Sequence, residues 1–132
     1  MGVDCGPGAT VPPGLVVVSC VRASAGVPLD RIELFRTMLP SFRETVSQAE
    51  LRSLPGPACL YLCADAGNEL LMDRVKELRR LAQTRANGLG VRVFFYPYRT
   101  SGLARSLPFR EAMLQAYADG ARYLHHTFDD VA

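Results

Sequence analysis

The chain has 132 residues, 48% of them apolar and 21% charged, with a formal net charge of +2. That length supports one domain with a single core and is too short for two. The charge balance excludes both a disordered chain and a globally basic, histone-like one.

In chain order the first segment is Met1 to Gly14, where Gly2, Gly6, Pro7, Gly8, Pro12, Pro13 and Gly14 follow one another without helical or alternating apolar pattern. It reads as a flexible lead-in. Asp4 and an apolar run of only Leu15 to Val18 do not make a secretory signal. Gly6 stands where a myristoylation motif wants Ser or Thr. No segment is long enough to cross a bilayer, so the default expectation for location is cytoplasmic.

Four short runs are apolar almost without interruption: Leu15 to Val21, Ala58 to Ala64, Val91 to Tyr98 and Ala121 to Phe128. Continuous rather than alternating hydrophobicity predicts strands covered on both faces, as in a parallel sheet. Three helical stripes lie between them. Leu29, Ile32, Phe35, Leu39, Phe42 and Val46 form the first, which Pro40 should kink or split near Leu39. Leu71, Val75, Leu78 and Ala82 form the second, stopped by Asn87-Gly88. In the third, Phe109, Met113, Ala116 and Tyr117 should face the core, with Ser106 as cap, Pro108 in the first turn and Gly120 at the end.

Strand starts at 15, 58, 91 and 121 have the spacing of strand-helix-strand crossovers. The expected fold is therefore α/β, a three-layer αβα, Rossmann-like domain with a mostly parallel four-strand sheet in the order 3-2-1-4. Such sheets bind ligands beyond the carboxyl ends of their strands, where the strand order reverses.

The four cysteines, Cys5, Cys20, Cys59 and Cys63, lack C-x-x-C pairs. Cys59 and Cys63 would lie about 13 Å apart along one strand, too far for a disulfide, so buried reduced thiols are expected.

At the strand ends, neither G-x-G-x-x-G nor a P-loop follows the first strand, which closes on Ser19-Cys20. The second closes on Asp65, which could accept hydrogen bonds from a base or ribose, or cap a helix. The fourth closes on Asp129-Asp130. An acidic pair after an apolar strand is costly unless a cation compensates its repulsion. Mn²⁺ or Mg²⁺ with a bound phosphate would do so, and a solvated turn or helix cap is the alternative. His125 and His126 alternate to opposite faces of the strand and read as packed or edge histidines.

Residues 71 to 110 carry nine Lys or Arg against Asp73 and Glu77, a local balance of +7. The helical members read as a solvated face. Arg99, Arg105 and Arg110 follow the third strand and could reach a diphosphate. The basic patch is not read as interleaved with aromatic stacking partners, so a nucleic-acid partner is not expected.

Several stretches together resemble the nucleotide-sugar-binding half of a GT-A glycosyltransferase of the glycosyltransferase 2-like kind. They are Leu15-Val-Val-Val-Ser-Cys-Val, Arg31-Ile-Glu-Leu-Phe with Leu39-Pro-Ser-Phe and Thr45, Leu60-Tyr-Leu-Cys-Ala-Asp65, and Ala116-Tyr-Ala-Asp-Gly-Ala-Arg-Tyr-Leu124 leading to Asp129-Asp130. The resemblance covers most of residues 15 to 130. It implies a nucleotide-diphosphate sugar as ligand, with Ser19 and Cys20 flanking the nucleoside and Asp65 on the base or ribose. Asp129 and Asp130 would stand in for the D-x-D element that holds Mn²⁺ or Mg²⁺. Phe128 sits two residues before Asp130, so only a D-D variant of that element is present.

The resemblance also implies that residues 15 to 132 are an incomplete domain. The family's catalytic base lies beyond the acidic pair, and no catalytic residue is assigned here. A domain of this kind would bind a donor for glycosyl transfer without necessarily acting alone. The alternatives are a non-catalytic interaction module whose exposed sheet edge is covered by another chain, and a small nucleotidyltransferase-like enzyme.

Overall fold

The computed structural model describes Cys5 and residues 11–21, 26–65, 69–86, 89–96, 99–101, 104–106 and 109–128. Its centre is an all-parallel sheet of β1 (Leu15–Cys20), β2 (Ala58–Asp65), β3 (Gly90–Tyr96) and β6 (Tyr123–Phe128), in the order β3-β2-β1-β6. This is the expected α/β architecture and the expected strand order. A second, antiparallel pair, β4 (Arg99–Ser101) with β5 (Ala104–Ser106), follows β3 where the sequence reading had no strands.

Side chains alternate to two faces of the sheet, each with its own core. On one, Val17, Leu60, Leu62 and Val91 pack with Leu29, Ile32, Leu34 and Phe35 from the first crossover and with Leu78, Leu81 and Ala82 of α4 (Val75–Arg85). On the other, Val16, Val18, Tyr61 and Phe94 meet Ala112 and Ala116 of α5 (Phe109–Ala118).

The first crossover is helical through Leu39, and its break lies upstream, where Ile32 is extended. A 3₁₀ turn (Leu29–Arg31) leads into a π-helical turn (Leu34–Met38), in which the Leu39 amide donates to the Leu34 carbonyl, and then into α1 (Leu39–Thr45). Pro40 has no N–H to give the Arg36 carbonyl and its ring would crowd that oxygen. The wider turn upstream accommodates the ring, and the apolar stripe stays on the sheet. A short α2 (Gln48–Arg52) follows, with the Ser47 hydroxyl accepting the Glu50 amide at 3.1 Å. The second crossover contains α3 (Glu69–Met72) ahead of α4. Asn87 and Gly88, expected to stop α4, lie outside the described residues, as do Leu107 and Pro108.

α5 ends as its glycine predicts. Gly120 has φ +82°, its amide donates to the Tyr117 carbonyl at 3.0 Å, and Ala121 reaches back to the Ala116 carbonyl at 3.0 Å. Tyr117, expected in the core, is instead 84% exposed. Ala112 and Ala116, with partly buried Met113, form the contact stripe, and their small side chains let the helix approach the sheet while Tyr117 stays in solvent.

Two further expectations are corrected. β6 is not covered on both faces over its described side chains: it is an edge strand, and Tyr123 and Leu124, which point to opposite faces, are 55% and 46% exposed. The cysteines are not reduced thiols: Cys5 is joined to Cys59 and Cys20 to Cys63. Distance along the strand does keep Cys59 from Cys63. Cys20, however, is the cross-strand register partner of Cys63, with Cα atoms 4.6 Å apart.

Pro13 and Gly14, read as the end of the lead-in, are buried and bonded. The Gly14 amide donates to the Pro57 carbonyl at 2.8 Å, and the Arg122 and Tyr123 amides donate to Pro13 and Gly14 at 3.0 Å. These bonds seat the amino ends of β1, β2 and β6 together.

Candidate functional site

β1 is the central strand from which the chain proceeds first to one side, through β2 and β3, and finally to the other, through β6. The order therefore reverses between β1 and β6, and a crevice is expected at their carboxyl ends. There Cys20 pairs with Cys63 on one side and with Phe128 on the other.

Ser19 lies within this rim, paired with Leu62 and Thr127. It is 0% exposed, and its hydroxyl has no hydrogen-bond partner among the described residues. Leaving a buried hydroxyl unmatched costs about 1–3 kcal/mol. The side chain shares its face with Val17 and Val21, where the Leu29–Phe35 segment packs. Cys20 is also buried, and its sulfur is committed to Cys63. A ligand at this rim would therefore meet backbone groups rather than a thiol, while the Ser19 hydroxyl lies beneath the Leu29–Phe35 segment.

Asp65 is the last residue of β2, paired with Tyr96, so its backbone lies at the same carboxyl edge. Arg99 and Arg105 fall on the two strands of the hairpin after β3, with Arg105 opposite Thr100. The side chains of all three lie outside the described part. Arg110 is exposed in the first turn of α5, the helix end that a right-handed crossover puts on the carboxyl side of the sheet. Asp129 and Asp130 lie outside the described residues. They follow in sequence on Phe128, the partner of Cys20. Among the described residues no group of three or more His, Cys, Asp or Glu could hold a metal ion. His125 is an exposed edge residue.

Three arrangements have no signal in residue spacing. Beside the loop after β1, Gly26, Val27, Pro28, Arg31 and Arg36 line a cavity of about 560 Å³. Periodicity puts both arginines off the apolar stripe, which reads only as a solvated surface. A smaller cavity of about 200 Å³ is lined by Phe35, Leu39, Pro40, Arg43 and Arg85. Its arginines are structural: Arg43 donates to the Arg85 carbonyl and Arg85 to the Asp30 carbonyl, each at 3.0 Å, and the Arg85 guanidinium lies 5.2 Å from the Phe35 ring centroid.

The third arrangement is under α5. Tyr61 and Arg92 are cross-strand partners, and both donate to Oδ2 of Asp119, at 2.6 and 2.8 Å. Gln115 donates to Oδ1 at 3.0 Å, and the Arg92 guanidinium lies 4.6 Å from the Phe94 ring centroid. Burial, then the bond to Asp119, pushes the Tyr61 hydroxyl up to about 12. It stays protonated at neutral pH, and both carboxylate oxygens of Asp119 are held, so the cluster works as a fastener.

No family model matches the chain, and neither a curated protein nor a solved structure matches it.

Proposed function

We propose that this chain is a nucleotide-diphosphate-sugar-binding domain for glycosyl transfer, with the donor at the carboxyl ends of β1 and β6. The observation that carries the reading is the reversal of strand order between β1 and β6, whose carboxyl ends meet at Cys20 and Phe128. Support also comes from the sequence that continues β6, since Asp129 and Asp130 follow the strand paired to β1.

Two adjacent carboxylates are hard oxygen donors of the kind Mn²⁺ and Mg²⁺ take, leaving positions for diphosphate oxygens. A bound ion would neutralise charge on the departing nucleotide. In this reading Ser19 orients the nucleoside, Asp65 accepts from base or ribose, and Arg99, Arg105 and Arg110 face the diphosphate.

Calorimetry with uridine and guanosine diphosphates, with and without Mn²⁺, tests it. Metal-dependent binding that is lost in Asp130→Ala is expected. Absence of any metal-dependent nucleotide binding ends the proposal.

A second reading, a non-catalytic interaction module, is favoured by the uncovered β6 edge with Tyr123 and Leu124 exposed beside it. Light scattering decides this reading: a concentration-dependent rise in mass supports it, and a monomer at every concentration removes self-association as its basis.

A further inference from the structure

We infer that Arg31 and Arg36 form a metal-independent anion site for a phosphorylated small molecule, in the cavity beside the loop after β1. The inference does not rest on the donor reading above.

The site is an open hollow of about 560 Å³, accessible to a small molecule from solvent. Its lining combines two guanidinium groups with the Val27 side chain and the Pro28 ring. That mixture suits a ligand with an anionic head on an apolar or ring body, because guanidinium forks match phosphate oxygens in geometry as well as charge.

The segment carrying the arginines is rigidly based. Leu29 and Ile32 are 2% and 4% exposed in the core, and the Arg31 amide donates to the Pro28 carbonyl at 2.9 Å. Arg31 therefore projects outward between two buried anchors. Its guanidinium has no ion-pair or hydrogen-bond partner among the described residues. Arg36 is aimed by Glu33, whose carboxylate accepts from Arg36 at 3.3 Å and from the Thr37 hydroxyl at 2.8 Å. The first contact is long and exposed, and the second fixes Glu33 without Arg36. An entering anion can take Arg36 as a second ligand while Thr37 continues to hold the carboxylate.

The test uses the full chain labelled with ¹⁵N, titrated with inorganic pyrophosphate at constant ionic strength and with EDTA present. Saturable shifts at the Gly26, Val27 and Arg31 amides are expected. Affinity should fall about tenfold or more in Arg31→Ala combined with Arg36→Ala, and Arg31→Lys should recover part of it. Asp130→Ala should leave the titration unchanged, which separates this site from the metal-dependent one. Both arginines are exposed, so a thermal melt equal to wild type shows that the variants remain folded. Absence of saturable shifts at these amides overturns the inference. So does equal affinity in the double variant, or loss of binding in Asp130→Ala.

Discussion

The Tyr61 hydroxyl donates to Asp119 Oδ2 at 2.6 Å, tying the middle of a central strand to the residue that follows α5. Arg92 shares that oxygen at 2.8 Å, and both members of the ion pair are largely removed from water, at 16% and 24% side-chain exposure. Hydrogen bonds to charged groups contribute about 1.5–3 kcal/mol, so Tyr61→Phe should cost about that much in urea unfolding at neutral pH. Asp119→Ala should cost more, because it strands Arg92 beside the Tyr61 and Phe94 rings without a counterion.

The same hydroxyl sets an alkaline limit. Its folded-state pKa of about 12 lies above the ordinary 10.0. The folded chain thus holds a proton that the unfolded chain gives up, and the stabilisation is complete below pH 10 and lost as pH rises towards 12. At about 1.4 kcal/mol per unit, the loss is at most about 3 kcal/mol. Unfolding free energies measured between pH 9 and pH 12 should fall more steeply in wild type than in Tyr61→Phe. Equal slopes would falsify the assignment of this titration to Tyr61.

Gly56 and Gly14 allow close backbone passage at the amino end of the sheet. A Cβ on Gly56 would meet the Pro12 carbonyl and come within 2.9 Å of the Gly14 nitrogen, both backbone atoms that cannot swing aside. Gly56→Ala should therefore destabilise by about 1–3 kcal/mol. Gly120→Ala should lose about 1–2 kcal/mol for a different reason, the positive φ of the helix stop. Chemical denaturation of the two variants checks both magnitudes.

The cysteine pairing is open to direct titration. Denatured, unreduced protein should show no reactive thiol, and reduction should expose four. Replacing Cys20 and Cys63 together by alanine removes a crosslink between residues 43 apart and should cost about 2–4 kcal/mol. Four reactive thiols before reduction would restore the reading of the cysteines as reduced.

Ser19→Ala separates ligand binding from stability. Its hydroxyl has no partner among the described residues, so the unliganded variant should be as stable as wild type or gain up to about 1 kcal/mol. If the donor reading holds, nucleotide affinity should fall several-fold in the same variant. A stability loss with unchanged affinity would make Ser19 a packing residue.

Sequence by itself determined the class of this protein, the four strands of the central sheet and their order, and the main helical stripes between them, but not the β4–β5 pair. Those features follow from local periodicity and connectivity, because uninterrupted apolar runs must be buried and right-handed crossovers leave few topologies. It also marked the strand ends as the place to look, through Ser19, Cys20, Asp65 and the acidic pair beyond Phe128. Tertiary structure decided what depends on who lies beside whom. The Cys20–Cys63 pairing and the Tyr61–Arg92–Asp119 cluster follow from strand register, in which residues 27 to 58 positions apart become neighbours. β6 illustrates the same limit: its composition demanded cover, while its place at the sheet edge left Tyr123 and Leu124 exposed. Periodicity records which side of an element is apolar; only packing decides whether another element reaches that side.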